Sequence, residues 1–389
     1  MNTSSTSGFS GPFLESAEQR VLREAVAGLA GRRDRPADGT WAEELWAEAG
    51  KLGYLGVNLP EEFGGGGAGI TELSIVLEEL SAAGYPLLML AVSPAICGTI
   101  ISRFGTAEQK RRWLPGLADG TVRMAFGITE PDAGSNSHRL TTTARRDGTE
   151  WVLTGRKVFV SGVDTADATL VVARAAGGSD RRLKPCLFIV PRGTPGFEMR
   201  EVPMELSALE RQFQLFLDDV RLPAEALVGN EGAGLPQLFA GLNPERIMMA
   251  AFAVGMGRRA LDTAVRYART RQVWSGPIGA HQAIAHPLAQ IHIELELAAL
   301  MMRKAAHLYD RQHDRAAAEA ANMAKYAAAE AVVRAVDQAV QTLGGNGLTA
   351  EYGMAALLPL SRVTRIAPVS REMILNFVAQ HTLGLPKSY

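Results

Sequence analysis

The sequence predicts an α+β chain in three successive parts: helical, then β, then helical again. Hydrophobic residues recur at three- and four-residue spacing from Pro12 to about Gly120, and again from Asn243 to the C-terminus. Between them, from Val122, the pattern changes to short Val-, Phe- and Leu-rich segments divided by Gly, Pro and Asp. Strands and helices nowhere alternate, which excludes a doubly wound nucleotide-binding fold. The expected boundaries are a disordered polar tail at 1–12, a helical domain at 13–121, an antiparallel β-domain at 122–235 and a helical domain at 236–389.

In chain order, Glu15 to Leu29 and Trp41 to Leu52 carry apolar residues at helical spacing, and helices are expected again at Thr71–Ala83 and Ala107–Leu117. The glycine run from Gly64 to Gly67 lacks the lysine and preceding strand of a P-loop, so a flexible turn is expected there. Leu80 to Ile101 is nearly apolar enough to span a membrane, but Gly84, Pro86, Pro94 and Gly98 interrupt it, and two buried helices joined by a turn account for it better. The segments TEWVLTGRKVFVSG, ATLVVARA, KPCLFIVP and FQLFLDDVRLP read as antiparallel strands of a barrel or sandwich. Helices then follow at Asn243–Arg271, Ala283–His313, Ala316–Leu343 and Ser370–Leu383, the last stopped by Gly384 and Pro386.

Composition narrows the function. With 40 Lys+Arg against 41 Asp+Glu in 389 residues, nothing points to a nucleic-acid partner. Cys97 and Cys186 are too few for a disulfide framework and suit buried thiols in a reducing cytosol, so a cytoplasmic location is expected. The N-terminus lacks the basic and apolar regions of a secretory signal, and no membrane partner is expected. His281, His286 and His292 repeat no ligand spacing with carboxylates, so no metal is expected.

One stretch organises the rest, Leu242 to Gln272. Its start reads as a helix start, with Asn243 as cap, Pro244 at the first position and Glu245 in the first turn. Met249, Phe252, Met256, Ala260, Thr263 and Tyr267 form an apolar stripe, beside which Ala250, Ala253 and Gly257 allow close approach of a backbone or flat ligand. Taken alone, a first-turn glutamate serves the helix dipole, worth about 0.3–1 kcal/mol.

Four further patterns carry chemistry. Phe126-Gly-Ile128-Thr129-Glu130-Pro-Asp-Ala-Gly-Ser135-Asn136 runs from a strand into a turn rich in hydroxyl and N–H donors. Lys157-Val-Phe159-Val-Ser161-Gly places an aromatic and a hydroxyl two residues apart, on one strand face. Arg271-Gln-Val-Trp274 is followed by His281-Gln282, and Gln341-Thr-Leu-Gly-Gly345-Asn-Gly ends an Ala-rich helix. Singly, the last reads as a helix C-cap and Phe159 as core.

Together, in this order, the four patterns resemble the acyl-CoA dehydrogenase family over nearly the whole chain, from about Leu14. The resemblance implies an N-terminal helical domain, a middle β-domain and a C-terminal four-helix bundle. It also implies α,β-dehydrogenation of acyl thioesters with FAD, in a homotetramer that passes electrons to an electron-transfer flavoprotein. Phe126, Ile128, Thr129 and Ser135 would then lie along the flavin ring and its polar edge, Ser135 also touching substrate. Phe159 would pack on the isoalloxazine where relatives commonly have Trp, and Ser161 would bond it where they commonly have Thr. Arg271 and Trp274 would reach a neighbouring subunit's FAD, Gln341 and Gly345 the pyrophosphate, and Arg246 the thioester end of the substrate.

The departures decide the base. Many relatives carry the catalytic glutamate in a Tyr-Glu-Gly-Thr turn near the C-terminus; counted from QTLGGNG, that turn is Ala367-Pro368-Val369-Ser370 here. Pro368 holds the glutamate's place, and Pro359-Leu360 replaces the Arg-Asp that often precedes it. A minority of the family, the isovaleryl and long-chain type, places the base on the helix opening the C-terminal bundle, at the position of Glu245. Glu245 is therefore the expected catalytic residue. The resemblance also implies a backbone N–H at this place for the thioester carbonyl, and proline has none to give. Either Val369 supplies the donor through a shifted turn or, the favoured expectation, the carbonyl keeps one hydrogen bond fewer. The substrate is expected to be an acyl-CoA or an acyl-carrier-protein thioester. The competing readings are a flavin oxidase or monooxygenase on the same fold, and a non-catalytic acyl-thioester or carrier-protein binding protein.

Overall fold

A computed structural model describes residues 15–31, 41–175, 185–206, 210–231 and 234–387; the expected tail at 1–12 lies outside them. Helices α1 (Ala17–Gly31), α2 (Trp41–Lys51), α3 (Ile70–Ala83), α4 (Met89–Val92), α5 (Thr99–Phe104) and α6 (Ala107–Asp119) come first. Thr106 caps α6 by accepting from Gln109 N, and Gly120 stops it in the left-handed region. The apolar stretch at 80–101 is an internal layer rather than a span. Alpha3 ends at Gly84, and a wide π-helical turn, Ser93–Gly98, separates α4 from α5 with every residue of the turn buried. The Gly64–Gly67 turn is tied down, since Gly65, Gly66 and Gly67 donate backbone N–H groups to Pro60, Gly56 and Leu59. A Cβ on Gly65 would lie 2.2 Å from the Leu59 carbonyl oxygen, so tight packing, not flexibility, explains glycine there.

The middle region is one sheet of eight strands: β1 (Met124–Gly127), β2 (Thr143–Asp147), β3 (Glu150–Ser161), β4 (Ala168–Ala175), β5 (Pro185–Pro191), β6 (Phe197–Val202), β7 (Gln212–Pro223) and β8 (Leu227–Val228). The expected all-antiparallel pairing is only partly right. β1 and β2 each pair β4 in parallel, because chain excursions separate them from it, while the remaining ladders are antiparallel. The β1, β2 and β6 segments are too short or too exposed to have stood out as strands.

The C-terminal region holds α7 (Gly234–Thr270), a short hairpin of β9 (Gln272–Val273) and β10 (Gly276–Pro277), then α8 (Gln282–Asp310), α9 (Asp314–Leu343), α10 (Leu357–Ile366) and α11 (Arg371–Phe377). Here the expected helix start is wrong. Alpha7 begins at Gly234, not Asn243, and Pro244 lies inside it. The small-residue face of Ala250, Ala253 and Gly257 is buried. The stripe is buried at Phe252, Met256 and Ala260 and half-buried at Met249, Thr263 and Tyr267, while Asp262, Arg266 and Arg269 are exposed. A Cβ on Gly255 would lie 2.2 Å from the Glu78 carbonyl oxygen of α3, and one on Gly257 would lie 2.5 Å from the Leu295 side chain of α8. The first and third parts of the chain thus share one hydrophobic core, running from Val26 and Trp41 through Leu73 and Phe252 to Ala298 and Val332. A second core joins α5 and α6 to the sheet and includes Ile96, Cys97, Ile100, Met124 and Leu170.

Candidate active site

Pro244 supplies no N–H, so the carbonyl of Ala240, one turn earlier, has no helical partner. The buried phenol of Tyr309, on α8, fills the vacancy and donates to Ala240 O at 2.6 Å. This repair lets α7 pass through a proline and carry Glu245 in its interior, far from the dipole end that the sequence reading gave it. Asn243 is buried and does not cap; its Oδ1 accepts from Arg246 Nη1 at 2.8 Å. The Arg246 guanidinium lies 5.9 Å over the Phe239 ring, and its Nε is buried with no hydrogen-bond partner in the protein.

Glu245 is half-buried. Burial pushes its carboxyl up to about 7, against the opposing charges of Arg246 and Lys325. The Lys325 side chain, on α9, is 2% exposed and donates to Val369 O at 2.6 Å. Burial brings that ammonium down to about 8, with Arg246 adding repulsion and Glu245 opposing the shift. Lys325 thus bonds the Pro368-Val369 turn while its charge bears on Glu245. The Cys97 thiol of the π-turn donates to Ala125 O at 3.5 Å and is held far up by burial, with the Glu245 charge adding to it.

The sequence-predicted residues fall into two groups. Phe126, Ile128 and Leu242 each pack against the second core, and Cys97, which donates to Ala125 O of β1, also feels the Glu245 charge, so β1 lies near the Glu245 turn of α7. Thr129 follows, its carbonyl accepting from Val158 N at 2.9 Å, and Ser135 is exposed on the turn beyond. Phe159 is 57% exposed, against its reading as core. Gln212 donates through Nε2 to Ser161 Oγ at 2.9 Å. The second group is distant. Arg271 lies 26 residues beyond Glu245, about 39 Å along a straight helix. With Trp274, which is 90% exposed, it sits on the β9–β10 hairpin. Gln341 and Gly345, both exposed at the end of α9, share this far end, where Asn346 Nδ2 donates to the Tyr267 hydroxyl at 3.1 Å. An open groove of about 380 Å³, lined by Arg259, Arg266, Tyr267 and Tyr352 among others, belongs to this second group and not to Glu245.

Three family models match in order: the acyl-CoA dehydrogenase N-terminal domain over residues 16–121, the middle domain over 125–220 and the C-terminal domain over 232–383. Acyl-CoA dehydrogenase FadE12 of Mycobacterium tuberculosis is 64% identical over 383 residues, 97% of this chain and 99% of that protein. The chain belongs to the acyl-CoA dehydrogenase family. Among solved structures, butyryl-CoA dehydrogenase from Megasphaera elsdenii has a TM-score of 0.88 at 28% identity, covering 95% of this chain and 99% of that one. A glutaryl-CoA dehydrogenase from Mycobacterium smegmatis in complex with FADH2 has a TM-score of 0.86 at 29% identity, covering 97% of each chain. With the family come its class, an oxidoreductase, and its activity, the FAD-dependent dehydrogenation of acyl-CoA thioesters.

The residues present fit that cofactor. Phe159 offers an exposed aromatic face beside the Ser161 hydroxyl, and a Cβ on Gly344 or Gly345 would meet nothing within 4 Å, leaving backbone open to a ligand. Sequence reasoning missed Tyr309 and Lys325. Pro244 inside a helix calls for a substitute donor, but only the packing of α8 on α7 says which side chain supplies it.

Proposed function

We propose that Glu245 is the base that removes the α-proton of the acyl thioester. The observation that carries this is the half-buried Glu245 carboxyl, raised to about 7. A group that must accept a proton near neutral pH works best with its own pKa there, and burial supplies the shift. Arg246 would hold the other role: its buried Nε–H has no partner in the protein and is free to serve the thioester end of the substrate. The bound flavin supplies the acceptor for the hydride leaving Cβ. Phe126, Ile128, Thr129, Ser135, Phe159 and Ser161 are the residues that would hold its ring, Ser135 also reaching substrate, and Gln341 and Gly345 its pyrophosphate.

Arg271 and Trp274 would serve the FAD of a neighbouring subunit, since the length of α7 separates them from Glu245 of their own chain. That reading requires a homo-oligomer, which we take to be a homotetramer. It is supported by an apolar stripe on α8 that no described residue covers, where Ile293, Leu297 and Leu300 are exposed at i, i+4 and i+7. An electron-transfer flavoprotein is the proposed acceptor and the cytoplasm the proposed location; among the described residues no helix is long and apolar enough to cross a membrane. The test is anaerobic bleaching of the flavin against a panel of acyl thioesters, on CoA and on a carrier protein. A protein that takes up FAD but is bleached by none would refute the dehydrogenase assignment.

A further inference from the structure

Beneath the flavin-facing residues lies a pair that the reaction does not use. The Lys157 side chain is 0% exposed, and its Nζ donates to Glu130 Oε1 at 2.8 Å and to Ile128 O at 3.1 Å. Glu130 is saturated with donors: Oε2 accepts from Thr141 N at 2.6 Å and Thr141 Oγ1 at 2.7 Å, and Oε1 also accepts from Thr142 N at 2.9 Å. Burial works against the Glu130 anion, but Lys157 and these bonds outweigh it and hold the carboxyl down at about 2. Pairs so placed seldom stabilise a fold more than apolar side chains of like size would; what they fix is geometry.

The geometry here is unusual. Between Lys157 and Val160 the register of β3 against β7 shifts, the mark of a β-bulge. Phe159 lies in that bulge with φ of 55°, a left-handed conformation an aromatic residue rarely adopts. Lys157 and Val160 point inward at 0% and 1% exposure, while Phe159 stands out at 57%. Nothing within β3 rewards that arrangement, so something adjoining it must hold it. On the Lys157 side the contacts come from the segment running out of β1, through the Lys157–Glu130 pair and Val158 N to Thr129 O at 2.9 Å; on the far side Gln212 of β7 donates to Ser161 Oγ at 2.9 Å.

We propose that the Lys157–Glu130 ion pair is a positioning device for the cofactor, pinning the bulge that turns Phe159 outward as a platform for the flavin ring. It joins two flavin-facing segments at their roots: Glu130 follows Thr129, and Lys157 precedes Phe159 by two residues. The inference rests on the FAD reading of the site.

The test uses the full-length chain, with FAD titrated into flavin-free protein and followed by flavin fluorescence and visible circular dichroism. Lys157→Met should raise the FAD dissociation constant by about tenfold or more and alter the dichroism of what binds. Because a lone buried carboxylate threatens folding, the double variant Glu130→Gln/Lys157→Met removes both charges. Its melting temperature should return toward that of the parent while FAD binding stays weak. If the double variant binds FAD within twofold of the parent, with unchanged dichroism, the pair is structural only and the proposal fails. A parent chain that takes up no FAD would overturn the cofactor reading and this inference with it, a result distinct from the first. Amide exchange at residues 156–161 in flavin-free protein gives a readout independent of loading. Faster exchange in the double variant supports the proposal, and protection equal to the parent's opposes it.

Discussion

Replacing Glu245 by glutamine separates what the carboxylate does for the reaction from what it costs the fold. The folded-state value of about 7 against an ordinary 4.5 corresponds to about 3 kcal/mol at 1.36 kcal/mol per unit. Below pH 4.5 the group is protonated in the folded and unfolded chains, and its full contribution to stability is retained. As pH rises, the unfolded chain loses the proton first, so stability falls until the folded chain also ionises near 7. Beyond that the loss is complete, with 3 kcal/mol as its upper value because a half-buried carboxylate keeps some hydration. Glutamine does not titrate. The stability difference between Glu245→Gln and the parent should therefore climb in favour of the variant between pH 4.5 and 8, and stay flat outside that window. For a chain of this length the full effect is about 4 °C in melting temperature, measurable by calorimetry of flavin-free protein across that range. In the loaded protein the variant should slow flavin reduction by about 10²–10⁴-fold, the usual worth of a positioned base. A difference that stays constant with pH would refute the burial argument, and reduction at the parent's rate would place the base elsewhere.

Tyr309→Phe removes the donor to Ala240 O and leaves that buried carbonyl unpaired, for a loss of about 1–3 kcal/mol in stability; denaturant unfolding equal to the parent's would mean another donor serves it. Lys325→Met withdraws a cation that favours the ionised base and frees the Val369 carbonyl. The acid limb of the flavin-reduction rate should move up by about 0.5–1 pH unit, and an unshifted profile in stopped-flow assays would exclude the coupling. Leu297→Glu places a charge in the middle of the exposed α8 stripe and should lower the mass seen by light scattering. A mass unchanged from an oligomeric parent would move the interface to another face.

The helical parts of the molecule were legible because their signal is local. The 3.6-residue period marks α3, α6, α8 and α9 to within a few residues. The start of α7 was not, because Asn243-Pro244-Glu245 is an ideal local signature for a helix end and only a tertiary contact overrides it. The bulge at Phe159 is similarly hidden. Alternation along β3 correctly puts Phe159 and Ser161 on one side, yet the extra residue and the positive φ depend on the contacts of Lys157 and Val158 with the segment after β1. The residues proposed for the site stand out in the sequence as motifs. Their division into a Glu245 group and a far group follows from the length of α7 once its course is known.

That course also changes the reason for the pKa of the proposed base, Glu245. At a helix start, the unpaired N–H groups would favour the anion and pull the carboxyl below its usual range, leaving burial to overcome them. In the interior of α7 the N–H groups ahead of Glu245 are committed within the helix, and the one proline would lack is not there to attract charge. What remains to favour the anion is the half-buried Arg246 and the buried Lys325, tied to Asn243 and Val369. The balance at about 7 is therefore set by side chains rather than by backbone, so single substitutions can retune it. A carboxylate in the Pro368 turn would sit on a loop; placed on α7 it is carried by a long helix packed against α3, α8 and α9, with Tyr309 closing the defect that its neighbour Pro244 opens.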